Sequence, residues 1–436
     1  MLSFLFSKTP LVFFVQSFWR DEAFSYLLAK KNIIEIIFLT AKDYNPPFYY
    51  LILHFWIKIF GNSEIVLRSL SLIFYWVTIY IVFLFLTQIF KIKNKLFLIL
   101  SLILFIVNPL LIYYAFEARM YTLLAFFSTL SSYAFLKENK KIYLFATTFG
   151  LLTHYYMIFI FISHLITYFV NKKKLKKTKL FFFIHPLIYF LIWFIFVFFQ
   201  NNQFLNSDFW IKKQEIKDLK NFAAIIFTGY EKDFNFHYKK ITYFSVFLSL
   251  ITLIIFLTKK RKLLKKKTVF FYLFLSGLFI PFIIFMISLF KPIFLPRYLI
   301  GQTILLILFI VYLLSKINKK IVSFFILFVF LYFSFDYQKL QVKFRKKSDY
   351  KKLYKEIKSL LKKDDVVYVV SELDFFIAQY YINENRVKIY RKTYEEIPNY
   401  VGKVLIPKNA IVYDLPFYPK KAFIVNKESY SIQSNF

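Results

Sequence analysis

The sequence predicts a polytopic α-helical membrane protein of about eleven transmembrane helices, followed by a small extracytoplasmic α/β domain. Three observations carry this. Of the 436 residues 59% are hydrophobic, and the mean hydropathy is +0.55. The apolar residues come in blocks long enough to cross a bilayer, not in stripes of helical period. Beyond about residue 336 the blocks give way to short alternating strand and helix patterns.

In chain order the expected spans are 1–18, 65–90, 95–113, 119–136, 141–152, 155–170, 180–199, 241–258, 268–290, 297–315 and 320–335. Lys8 and Pro10 interrupt the first of them. The run 141–170 is too long for one span, and the polar pair Thr153-His154 divides it. Charge supports the division. Five short basic segments (91–95, 137–141, 172–179, 259–267 and 316–320) then share one side, which the positive-inside rule makes cytoplasmic. Without it, 172–179 and 259–267 would lie outside. The net charge of +35 therefore reads as loop lysine rather than as a nucleic-acid surface. Six glycines are too few for Gly-mediated helix packing to be general. With no cysteine, thiol nucleophiles, disulfides and Cys-ligated metals are excluded.

The opposite side carries the long loops 19–64 and 200–240, within a membrane domain expected over 1–335. Long loops that are more than connectors carry function, so the working face is expected to be extracytoplasmic, at the plasma membrane. The tail, 336–436, follows an odd number of spans and falls on that same face. Within it Ser348 to Lys363 reads as an amphipathic helix and Val366–Val370 as a strand. Leu373 to Ile382 reads as a helix and Val387–Tyr390 as a second strand, which together suggest a partly parallel sheet.

Charged motifs cluster in the outer loops. Trp19-Arg20-Asp21-Glu22 puts two carboxylates directly after an apolar segment. Partial desolvation there raises a carboxyl pKa and suits a general base, while an interfacial charge pair is the plainer reading. Asp43-Tyr44-Asn45-Pro46-Pro47 offers Asp43 for placing a substrate or metal; equally, Asn45 caps a helix with Pro46 at its first position. Glu117 and Arg119 stand at the mouth of a helix pair, where the planar guanidinium suits a phosphate. Arg297 and Tyr298 open a later span and serve as lipid-phosphate ligands or as interfacial anchors. His154, in its tight turn, is a ligand, a proton carrier or a polar cap. No histidine pair has metal-ligand spacing, and there is no Gly-rich phosphate loop.

Taken in order, these motifs resemble the GT-C membrane glycosyltransferases, specifically the dolichyl-phosphate-mannose protein mannosyltransferase-like group that includes bacterial aminoarabinose transferases. The matching pieces are Asp21-Glu22-Ala23, Asp43-Tyr-Asn-Pro-Pro-Phe-Tyr-Tyr50, Phe60-Gly-Asn-Ser-Glu64 with Arg68, Glu117-Ala-Arg-Met-Tyr121, and Pro296-Arg297-Tyr298. The match is best over 19–165. The resemblance implies a polyprenyl-phosphate sugar donor and inversion at the anomeric carbon. It implies that Asp21 acts as base, that Glu117 fills the second acidic position, that Arg119 and Arg297 meet the lipid phosphate, and that Asp43 is the acidic residue before Pro-Pro. His154 matches no motif. The acidic first loop leaves room for a divalent metal without a diagnostic ligand set.

Chemistry agrees with the resemblance. A phosphodiester leaving group departs as a stable anion, so the reaction needs positive charge at the phosphate and a base on the acceptor hydroxyl. Glu22 is the alternative to Asp21 as that base. The acceptor hydroxyl, on a protein, lipid or polysaccharide, stays open; nucleic acid is not expected as a partner, and membrane lipid is. The alternative function is a transporter or flippase for a lipid-linked glycan. It predicts charges at mid-membrane and repeated halves; the spans are nearly free of charges inside and no repeat is visible, while the acidic groups cluster at one face.

Overall fold

The structure is a computed structural model and describes residues 2–201, 211–231, 237–264 and 267–436; part of the expected loop 200–240 lies outside them. Among the described residues, six helices are long and apolar enough to cross a membrane: Glu64–Ile89, Phe181–Gln200, Ile241–Lys259, Lys267–Ile287, Pro296–Leu314 and Lys320–Phe344. A bent pair, Lys95–Ile106 and Pro109–Ala115, makes a seventh if its 58° break is taken as one span. Of the about eleven spans expected, six or seven are full-length, and several others are shorter helices. Tyr121–Leu136, Lys140–Leu151 and Met157–Asn171 are each shorter than a span of about 20 residues. The division of 141–170 holds, with 152–156 joining two separate helices.

Two expectations need correction. Residues 1–18 form no continuous span. Helix Leu2–Lys8 stops before Pro10, which lacks an amide donor and disfavours helix at the preceding residue, and only the single turn Val12–Val15 follows. Asn45 does not cap the next helix. That helix is Phe48–Phe60 with Pro47 at its cap, too far along for Asn45, whose side-chain amide instead donates to Asp43 Oδ2 at 2.6 Å.

The chain forms two compact units, each assembled from separate stretches of sequence. One comprises 1–12, 71–195 and 211–345. At its centre every residue of helix Ile300–Leu314 is buried, as an all-round apolar helix requires. It packs on Tyr121–Leu136, Phe222–Thr228, Ile241–Leu264 and the Lys267–Phe279 stretch. Gly277 brings backbone against backbone: a Cβ there would lie 2.6 Å from the Leu306 backbone nitrogen. Few glycines are present, but this one sets an interhelical distance.

The second unit comprises 13–70, 196–210 and 346–436. The first loop is itself helical here, folded as Arg20–Ala29, Ile33–Lys42 and Phe48–Phe60. In the tail, helix Tyr350–Leu360 precedes a five-stranded sheet. Its strands are β1 (Val366–Val369), β2 (Val387–Tyr390), β3 (Ile411–Val412), β4 (Ala422–Asn426) and β5 (Ser429–Gln433), in spatial order β3-β2-β1-β4-β5. The first four are parallel, and β5 pairs antiparallel with β4. Helix Phe375–Tyr381, between β1 and β2, packs on helix Arg20–Ala29 of the first loop.

Candidate active site

The structure places the expected site residues in two groups, one in each unit. In the unit built from the first loop and the tail, helix Arg20–Ala29 carries Asp21 and Glu22 into different surroundings. Glu22 is wholly buried. Its carboxylate takes Arg68 Nε and Nη2, each at 2.8 Å, in a fork-to-fork pair. Lys347 Nζ adds a third contact at 2.8 Å, and the Trp19 amide donates to the same carboxylate at 3.0 Å. Arg68 spends its remaining donors on the carbonyls of Phe14, Gln16 and Ser17, at 2.6 to 3.1 Å. Burial alone would raise the Glu22 pKa, but Arg68 and Lys347 outweigh it and hold the carboxyl well below its usual range. This assembly ties three distant segments together, and it leaves Glu22 a fixed anion.

Asp21, one residue earlier, is partly exposed; its carbonyl accepts the Ser25 hydroxyl at 2.8 Å. Asp43, at the end of helix Ile33–Lys42, lies near enough to feel the charge of Asp21. Burial, with that second carboxylate adding to it, pushes Asp43 up to about 7 against the lowering effect of the Asn45 amide. Two acidic groups are thus held together with one of them titrating near neutrality. Among the described residues, no group of three or more His, Asp or Glu side chains is placed to hold a metal ion.

The second group lies in the other unit and consists of cations set in tyrosines. The Arg119 guanidinium lies 4.8 Å from the centre of the Tyr121 ring. Tyr298 packs against Tyr121, His154 and Tyr156, with ring centres 6.2, 4.8 and 5.0 Å away. His154 Nδ1 faces the Tyr156 backbone N–H at 3.1 Å and so accepts, which assigns the ring proton to Nε2. Burial, and secondly the Arg119 charge, lower His154 to about 3. It is a neutral ring at physiological pH. Arg297, beside Tyr298, donates to Glu231 at 2.9 Å.

Glu117 is buried just before Arg119 and accepts the Tyr113 hydroxyl at 3.1 Å. Its carbonyl takes the Ser71 hydroxyl at 2.6 Å and the Arg119 amide at 2.8 Å, fixing the turn that presents Arg119. Arg345 stacks on Tyr113 at 4.3 Å and approaches Glu231 at 3.9 Å. Arg119, His154, Arg297 and Tyr298 therefore belong to one aromatic and cationic cluster, and Asp21, Glu22 and Asp43 to one acidic helical layer. Sequence reasoning passed over Glu231, Arg345 and Lys347. The last two sit in a basic run after an apolar helix and look like ordinary flanking charge.

No protein-family model matches the chain, and no curated protein matches it in sequence. Solved structures do. ArnT from Cupriavidus metallidurans in the apo state aligns over 95% of this chain and 90% of its own, with a TM-score of 0.63 at 12% identity. ArnT from Cupriavidus metallidurans bound to undecaprenyl phosphate gives 0.58 over 95% and 91%, also at 12% identity. This chain has the ArnT fold. The GT-C architecture and the tail sheet expected from sequence are both present, and the aminoarabinose transferase group named from five short motifs is the one whose fold it shares.

Proposed function

We propose that the chain is an inverting glycosyltransferase. It moves a sugar from a polyprenyl-phosphate-linked donor to an acceptor hydroxyl at the outer face of the plasma membrane. The observation that carries this reading is the contrast between neighbouring carboxylates: Glu22 locked to Arg68, Asp21 beside an Asp43 that titrates near 7. A carboxylate of that kind, at the start of an outer loop, suits a base far better than a saturated ion pair does. The ArnT fold supports the same class, and one of the two ArnT structures holds undecaprenyl phosphate.

In the proposed reaction the acceptor oxygen attacks the anomeric carbon as the bond from that carbon to the phosphate oxygen breaks. The bonding pair leaves with the polyprenyl phosphate, and Asp21 takes the acceptor proton. Asp43, raised by burial and by the charge of Asp21, stands beside it as the second acidic group. In the other unit, the cluster of Arg119 and Arg297, with Tyr298 and the Nε2–H of His154 as neutral donors, has the charge and the hydrogen-bond donors that a lipid phosphate requires. Glu117 positions Arg119 through the turn it anchors. A single displacement with a single base inverts the configuration.

The test is chemical. Membranes containing the protein, given a panel of polyprenyl-phosphate sugars and envelope acceptors, release free polyprenyl phosphate and yield a glycoside of opposite anomeric configuration. Retention of configuration, or movement of intact donor across sealed vesicles without cleavage, contradicts the proposal.

A further inference from the structure

The tail sheet carries a cavity that the transfer chemistry does not use. Strands β1, β2 and β4 run parallel and end on the same edge of the sheet. The chain leaves β1 toward β2 and β3 on one side and then returns to β4 on the other, so the direction of winding reverses between β1 and β4. Open α/β sheets form a crevice outside the carboxyl ends of the strands at such a reversal. Here a cavity of about 540 Å³ reaches from that edge across the sheet face to Gln433, which pairs with Ala422 at the start of β4; Val370, Tyr390, Arg391, Lys392, Glu396 and Ile424 complete its lining. The volume is in the range of small-ligand sites.

The lining has two characters. Val370, Ile424 and the Tyr390 ring make an apolar floor; Tyr390 stacks on Tyr368 of the neighbouring strand β1, 5.4 Å between centres. Around the floor stand two cations, a carboxylate and an amide. Lys392 is spent on Glu372 at 2.5 Å. Arg391 is not: its backbone N–H donates to Val412, its guanidinium lies 4.9 Å from the Tyr390 ring centre, and among the described residues it has no carboxylate partner. Arg391 also holds φ at +56°, a region that a long side chain enters at a cost. The strain sits at the mouth of the cavity, on the residue whose charge is uncommitted.

A flat apolar floor, hydrogen-bonding groups at the rim and a fork of cationic donors match one ligand class, a saccharide bearing a phosphate or carboxylate. We propose that this cavity seats the anionic sugar of the acceptor, with Arg391 on its charged group and Gln433 and Glu396 on its hydroxyls. The assignment to the acceptor rests on the transferase reading above; the anion site itself does not.

The experiment uses the full chain in detergent and three probes: glucose 6-phosphate, glucuronate and glucose. Binding is read by saturation-transfer NMR. To remove any contribution from the Arg119 cluster, the measurements are made in an Arg119→Gln background as well. Both anions are expected to bind more tightly than glucose. Arg391→Gln weakens the anions by about tenfold, the worth of one charge-assisted hydrogen bond, and leaves glucose unchanged. Gln433→Trp, on the exposed edge strand, fills the cavity and removes all three. Preference for glucose 6-phosphate or for glucuronate identifies the anion. Equal anion binding by wild type and Arg391→Gln overturns the site. A second arm measures transfer. KM for an anionic acceptor rises in Arg391→Gln with kcat preserved; an unchanged KM despite lost binding overturns the assignment to the acceptor. Loss of anion binding in Arg391→Gln from a protein that transfers no sugar sinks the transferase reading and keeps the site.

Discussion

Glu22 and Asp21 are adjacent in sequence and alike in chemistry, yet their surroundings separate them. Glu22 lies fully buried against Arg68 and Lys347. Removing one partner of a buried pair strands the other, at a cost of about 3–5 kcal/mol. Arg68→Ala is therefore expected to lower the thermal midpoint of the purified protein steeply, and Glu22→Gln to lower it as well; a midpoint within a degree of wild type for both would mean the knot bears no load. Asp43 gives a second residue-scale expectation. Its folded pKa is raised to about 7 from an ordinary 3.8, so the folded state favours the protonated form. That contribution to stability is complete below the unfolded value and is lost as pH rises through about 7. Relative to wild type, Asp43→Asn should gain thermal stability progressively between pH 4 and pH 8. A difference that stays flat across that range contradicts the buried, repelled carboxyl. The identity of Asp21 and Asp43 as candidates was legible in the sequence. The raised pKa was not, because it depends on burial and on a neighbour 22 residues away in the chain.

At the level of elements, hydropathy and lysine placement located nearly every apolar helix, including the division at Thr153-His154. What they could not show was where an apolar run breaks into short helices, as Pro10 does to the first segment and as the 58° bend does after Ile106. Nor does composition show which of six glycines matters. Gly277 does, because the Leu306 backbone leaves no room for a Cβ. Gly277→Ala forces two helices apart and should destabilise by about 1–3 kcal/mol, read as a lowered thermal midpoint with intact membrane insertion. Unchanged stability would mean that the helices separate freely at that point.

For the whole molecule, the informative feature is that the first loop and the tail belong to one compact unit. Glu22 and Lys347 are 325 positions apart, and Glu64 accepts from Lys351 and from Tyr381 in the tail. Contacts between segments so distant leave no trace in local periodicity, so the tail reads from sequence as an appended domain. It is a structural partner of the loop that carries Asp21. Deleting 346–436 should therefore expose 19–64 to proteolysis while the helices of the other unit stay protected; an unchanged digestion pattern in that loop contradicts the partnership. The fold class was legible because bilayer crossing and positive-inside loops impose strong, local patterns. The grouping of the candidate residues into an acidic layer and a cationic, tyrosine-rich cluster needed coordinates.

Sugar transfer with Asp21 as base is tested most directly by transfer from radiolabelled polyprenyl-phosphate sugars in membranes carrying wild type, Asp21→Asn or Glu22→Asp. Wild type should transfer from at least one donor. Asp21→Asn should lose at least about a hundredfold in kcat, the scale of general-base catalysis, with donor binding intact. Transfer by Asp21→Asn at the wild-type rate, with loss confined to Glu22→Asp in folded protein, would contradict the account.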